Sequence, residues 1–170
     1  PDLLNRHVSA LVLFTSWRQL NAVISGLPKT LAEGLLVQGE GSKQALLKEH
    51  RQRIDEGQSS YLFGVASFSE GLDLPGEYCR HVVIVKLPFS VPDDPVDQAI
   101  AEWAEAQGRN AFYEISVPDA SLKLVQACGR LIRSEKDYGT ISMLDKRIVT
   151  QRYGRALIES LPPFRLDLPA

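Results

Sequence analysis

Cysteine is scarce in these 170 residues: only Cys79 and Cys128 are present, far apart and not embedded in any cluster of Cys and His. That excludes a disulfide framework and a zinc site, and it suits a chain kept in a reducing cytoplasm. Long apolar runs are also missing. None approaches the roughly 20 residues that span a bilayer, and no signal peptide is recognisable, so a membrane protein is not expected. Two phosphate-binding patterns are lacking as well. No Gly-x-Gly-x-x-Gly turn follows a strand. The nearest approach to a Walker A loop is GLPKT (26–30), where Pro28 and Val23 stand where glycines are required. No strand ends in paired acids that would hold magnesium, and DEG (55–57) closes a polar helix instead.

What is there is ordinary globular material, 44% apolar and 24% charged, in a length that suits one domain with a sheet core. The net charge of −2 conceals an asymmetry. Residues 93–108 carry Asp93, Asp94, Asp97, Glu102 and Glu105 without a Lys or Arg, whereas residues 121–155 carry eight Lys/Arg against three Asp/Glu. A basic segment is often a solvated face, but it also suits a polyphosphate or nucleic acid.

Apolar runs alternate with amphipathic stretches. Strands are expected at 10–16, 35–39, 61–68, 81–89 and 139–145, all β-branched or apolar. Helices are expected at 17–27 (closed by Gly26), 43–56 (capped by Ser42) and 150–160. A longer one begins near Asp94 and Pro95, with Val96, Ala99, Ile100 and Trp103 as a core-facing stripe, and another over 120–133 is capped by Asp119. His50 has no partner histidine and reads as a packed residue rather than a ligand. The alternation implies an α/β fold, a mainly parallel sheet with helices on both faces. The Pro-rich end LPPFRLDLPA has the look of a tail or an excision point.

Ligands of such sheets gather at the C-terminal ends of the strands. FTS (14–16), SFSEGLDLPG (67–76) and LDKR (144–147) fall there. The stretch QACGRLIRS (126–134) adds a fourth element. On one helix, Gln126, Gly129, Arg130 and Arg133 share a sector of about 100°, with Leu124, Val125, Cys128, Leu131 and Ile132 behind them. Two guanidiniums held together favour an anion between them. Gly129 in mid-helix would cost about 1 kcal/mol relative to Ala and so calls for a reason. In SEGLD, Gly71 lets the backbone approach a ligand, while Glu70 and Asp73 can accept hydrogen bonds or simply cap a turn.

QACGRLIR resembles motif VI of superfamily 2 helicases, FSEGLDLPG resembles motif V as used in the XPD/DinG branch, and VLFTSW resembles motif IV. LDKR resembles the Asp-x-Arg stretch that ends the motor in that branch. Order and spacing agree, and the match covers essentially the whole chain. It is most similar to the second motor lobe of bacterial DinG-type DNA helicases.

The resemblance implies a RecA-like three-layer sandwich spanning residues 1–170, excised from a longer chain. It implies an ATP-dependent helicase that unwinds DNA 5′ to 3′, with Arg130 and Arg133 reaching the γ-phosphate, Arg133 as the arginine finger. Gln126 and Gly129 would face the nucleotide, and Glu70, Gly71 and Asp73 would couple it to DNA movement. Thr15, Ser16, Ser67 and Ser69 would lie near the phosphates of single-stranded DNA. ATP and Mg²⁺ would be held mainly by the first RecA-like lobe, the expected partner together with single-stranded and duplex DNA. An iron–sulfur cluster, carried by the first lobe in many relatives, cannot be built from two distant cysteines. A free-standing module with a degenerate motor fold, binding nucleic acid or a protein, is the alternative. An intact motif VI speaks against it.

Overall fold

The computed structural model describes residues 3–90, 95–132 and 137–168. They form two units. One comprises Pro1–Lys86 and Ala127–Asp145, the other Leu87–Gln126 and Lys146–Ala170.

The first unit is built on five strands: β1 (Ser9–Phe14), β2 (Leu35–Val37), β3 (Ser60–Val65), β4 (His81–Ile84) and β5 (Thr140–Met143). All neighbours pair in parallel, in the order β2-β3-β1-β4-β5. β1, β3 and β4 are almost entirely buried, which is why they read as continuous apolar runs rather than alternating ones. One face of the sheet carries Ala10, Val12, Phe14, Tyr61, Phe63 and Val83, packed with Leu20 of α1 (Trp17–Ser25). On the opposite face, Ser60 receives His50 of α3 (Lys43–Asp55) at 2.8 Å. Helices therefore cover both faces. Right-handed connections dictate this, because β1 to β2 and β2 to β3 run in opposite directions across the sheet. α2 (Lys29–Ala32) is a single turn between α1 and β2. Ser42 caps α3 through the Ala45 N–H, as expected from sequence, and Ser16 also caps α1 through the Gln19 N–H.

The second unit contains α4 (Pro95–Ala106), α5 (Val117–Cys128, its last turn returning to the first unit), α6 (Arg147–Thr150) and α7 (Arg152–Glu159). Phe89, Phe112 and Tyr153 cluster within it, with ring centroids 5.2–5.4 Å apart. Two expectations change here. The α4 stripe is not a core face: Ala104 is buried, but Val96, Ile100 and Trp103 are exposed. The helix expected over 120–133 starts earlier and stops sooner. Asp119 is not its cap, because a π-helical turn at Phe112–Ser116 runs straight into α5. Pro118 explains the widened turn, since it supplies no N–H and its ring crowds the carbonyl four residues back. Asp119 instead sits in the first helical turn, where it binds Lys123 at 2.8 Å and accepts from Ser90 at 2.9 Å. The Asp94 cap lies outside the described residues.

Candidate functional site

Because every strand is parallel, the segments following β1, β3, β4 and β5 all leave the sheet at one edge. Thr15 and Ser16, directly after β1, are exposed there. The Thr15 hydroxyl donates to the Gln19 side chain at 3.3 Å, and Ser16 serves as the α1 cap.

The segment after β3 is the most elaborate. A 3₁₀ turn, Ala66–Ser69, leads into residues 70–76. Phe68, Leu72 and Leu74 are buried and pin the loop to the sheet, which leaves Ser67, Glu70 and Asp73 exposed. Ser69 is buried too, and its hydroxyl donates to the Ala66 carbonyl at 2.7 Å. It braces the turn rather than facing outward. Gly71 holds φ +66°, the left-handed conformation that reverses the chain between the two exposed acids. A Cβ there would meet nothing within 4 Å, so the backbone angle alone demands glycine. At Gly64, by contrast, a Cβ would lie 2.6 Å from the buried Phe68 side chain. Gly71→Ala should cost about 1 kcal/mol, the ordinary left-handed penalty. Gly64→Ala should cost about 1–3 kcal/mol by forcing Phe68 aside. Urea midpoints of the two variants check this, and equal costs would refute it.

Arg130 reaches this loop. α5 ends at Cys128, and the N–H groups of Arg130 and Leu131 bond back to the Ala127 and Cys128 carbonyls. Gly129 thus stands just past the helix end, not in mid-helix. This disposes of the propensity cost expected above, and it places Arg130 in a turn instead of on a helical face. The half-buried Arg130 donates Nη1–H to the Leu72 carbonyl at 3.5 Å, and its Nε is buried with no hydrogen-bond partner. Among the described residues this guanidinium is under-satisfied, and an oxyanion is the ligand that would complete it. Gln126, in the last turn of α5, is exposed, as is Gly129. Arg133 lies outside the described residues. Behind the turn, Cys128 is fully buried, and burial pushes its thiol up to about 12. It is a neutral packing group with no nucleophilic or ligand role.

The structure thus joins Arg130 to the Leu72 carbonyl of the loop after β3, while Thr15 and Ser16 directly follow β1. It also adds residues that sequence patterning did not single out. Lys43 donates to the Glu70 carbonyl, and Arg51 donates to the Asp73 carbonyl at 2.5 Å. Their spacing of eight on α3 was the only signal available. Asp145, at the end of β5, is buried. In the second unit, Arg147 lies 5.9 Å from the Phe89 ring. Among the described residues no three His, Cys, Asp or Glu side chains gather as metal ligands.

A five-stranded parallel sheet, a glycine-turned acidic loop after β3 and an arginine bonded to that loop occur together here, and the helicase C-terminal domain family matches residues 3–164. The chain belongs to that family. Its relatives include the ATP-dependent DNA helicase DinG of Photobacterium profundum, 49% identical over 168 residues. That match covers 97% of this chain and 24% of the relative. DinG of Escherichia coli (strain K12) is 39% identical over 164 residues, 96% of this chain and 23% of that protein. This helicase C-terminal domain therefore spans about a quarter of the length of these relatives. An apo XPD structure superposes with a TM-score of 0.72 at 22% identity, covering 93% of this chain and 32% of the other. A second XPD helicase structure gives 0.70 at 21%, covering 94% and 28%. At such identity these two speak for the fold, an α/β lobe of the XPD type.

Proposed function

We propose that this helicase C-terminal domain acts as the second motor lobe of an ATP-dependent DNA helicase of the DinG type, within a longer protein. The observation that carries the reading is Arg130. Its guanidinium touches the backbone of the loop after β3, and its buried Nε has no hydrogen-bond partner among the described residues. Arg130 and Arg133 supply positive charge to the transferring phosphoryl group of ATP. ATP itself is held largely by a first RecA-like lobe that carries the phosphate-cradling loop. Magnesium would neutralise the phosphates when bound, held by residues of that other lobe. Gln126 and Gly129 face the nucleotide. Glu70, Gly71 and Asp73 couple the arginines to DNA, whose single strand runs past Thr15, Ser16 and Ser67. Ser69 supports that track through the 66–69 turn rather than by direct contact. Two buried thiols, Cys79 and Cys128, suit a reducing cytoplasm.

Two measurements on the 170-residue chain test this. Without a phosphate cradle it should release no phosphate from ATP above background, with or without single-stranded DNA. Its DNA affinity should be weak, indifferent to sequence and steeply salt-dependent. The log–log slope should be about −0.7 per phosphate contacted, read by fluorescence anisotropy at several salt concentrations. Tight binding that ignores salt would favour a stand-alone binding module instead.

A further inference from the structure

We propose that Lys43 and Arg51 of α3 are positioning residues that clamp the motif V loop and so set how tightly DNA engagement is coupled to ATP turnover. The proposal rests on the motor-lobe reading above, but its structural basis is independent of it.

Three carbonyls in a stretch of four residues accept from three cations. Glu70 accepts from Lys43, Leu72 from Arg130 at 3.5 Å and Asp73 from Arg51 at 2.5 Å. Lys43 and Arg51 are eight residues apart on one helix, which puts them on the same face with an axial separation of about 12 Å. The backbone from Glu70 to Asp73 spans at most about 10 Å. The helix therefore grips the loop at both ends, and the left-handed turn at Gly71 lies between the grips.

The clamp is anchored. Leu46 and His50 are buried, and His50 bonds both the Ser60 hydroxyl and the Tyr78 carbonyl at 2.8 Å. The Lys43 ammonium sits 5.5 Å from the Phe68 ring, and the Arg51 guanidinium 5.7 Å from that of Tyr78. Both grips fall on backbone. The Arg51–Asp73 carboxylate distance is 3.9 Å, with both side chains well exposed, so that ion pair adds little beside the carbonyl bond.

Because main-chain oxygens take the cations, the side chains of Ser67, Glu70 and Asp73 remain outward and exposed. The same rigid loop presents the Leu72 carbonyl to Arg130. A displacement of the loop by DNA therefore moves the partner of a γ-phosphate arginine, and the stiffness supplied by α3 decides how much of that displacement arrives.

The test is the double variant Lys43→Met/Arg51→Met, which keeps both apolar stems, compared with parent and with Arg51→Lys in the full-length protein. Amide hydrogen exchange of residues 66–76 should accelerate by about tenfold or more, with protection of β1 and β3 unchanged. The KM for ATP and the turnover without DNA should stay within about twofold, while base pairs unwound per ATP should fall by about fivefold or more. Arg51→Lys retains a donor and should recover part of the coupling. Exchange of 66–76 at the parent rate would overturn the proposal. So would a uniform loss of all kinetic parameters together with thermal stability, the mark of a merely structural role. An Arg130→Ala control separates the two readings. If that control still hydrolyses ATP normally, the γ-phosphate role of Arg130 fails, while the exchange measurement continues to judge the clamp.

Discussion

Replacing Arg130 by alanine in the longer motor protein should lower ATP turnover by about 10³–10⁵, with unwinding lost in parallel, and leave most single-strand affinity in place. An arginine that meets charge only as it develops on the transferring phosphoryl group contributes to kcat far more than to ground-state binding. The geometry favours Arg130 for this task. Its turn is fixed by the i→i+3 bonds at Ala127 and Cys128, and Leu131 and Cys128 are buried beside it. The side chain therefore arrives with little freedom left to lose. Arg133 should behave alike as the proposed finger, and Arg133→Lys should not rescue, since an ammonium lacks the planar fork. Near-parental hydrolysis by an alanine variant with intact fold would transfer that residue to the DNA-binding face.

Acid should destabilise the chain well above the range where carboxylates titrate. His81 is fully buried on β4, with Nε2 at 2.8 Å from the Ser142 hydroxyl and its ring 4.9 Å from that of His7. Burial lowers its pKa from 6.5 to about 4, and His7 and Arg6 add repulsion. Burial also lowers His50, against the opposing hydrogen bond to Tyr78, and lowers His7. All three shifts have one sign. The unfolded chain takes up protons below about pH 6.5 that the folded chain refuses, so stability is full above that value and is lost as pH falls toward about 4. For His81 alone the complete effect is on the order of 3 kcal/mol, about 2 of them gone by pH 5. In a domain of this size that is a fall in Tm of about 4–8 °C. Glu77, held low by its bond to Arg80, begins to act only as pH falls through the ordinary carboxylate value, below the pH 5.0 arm of the test. Thermal melts at pH 7.5 and 5.0 decide, and equal midpoints would contradict the account.

The sheet was legible because burial on both faces leaves an uninterrupted apolar signature, as in ALVLF and YLFGV. The Ser42 cap was legible because its chemistry is local. The end of α5 was not. Periodicity continues through Leu131 and Ile132, yet the helix ends at Cys128, and apolar spacing cannot distinguish a buried turn from a further helical turn. Nor could the stripe on α4 reveal its own exposure, since Val96, Ile100 and Trp103 have core spacing whether or not anything covers them. At the candidate site, motif order identified the loop and the arginine turn. The contacts that join them are side chain to carbonyl across 58 positions for Arg130, and 27 and 22 for Lys43 and Arg51. Main-chain acceptors carry no side-chain signature, so sequence patterning passes over such contacts.

The most direct test of the γ-phosphate assignment is retention of ADP in the presence of aluminium fluoride, which occupies the place of the transferring phosphoryl group. The longer motor protein should hold ADP in a slowly dissociating, fluoride-dependent complex on single-stranded DNA. Its Arg130→Ala variant should bind ADP alone within about threefold of the parent yet fail to form the trapped complex, because the arginine's contribution belongs to the transition state. Trapping by the variant at the parental level would contradict the account.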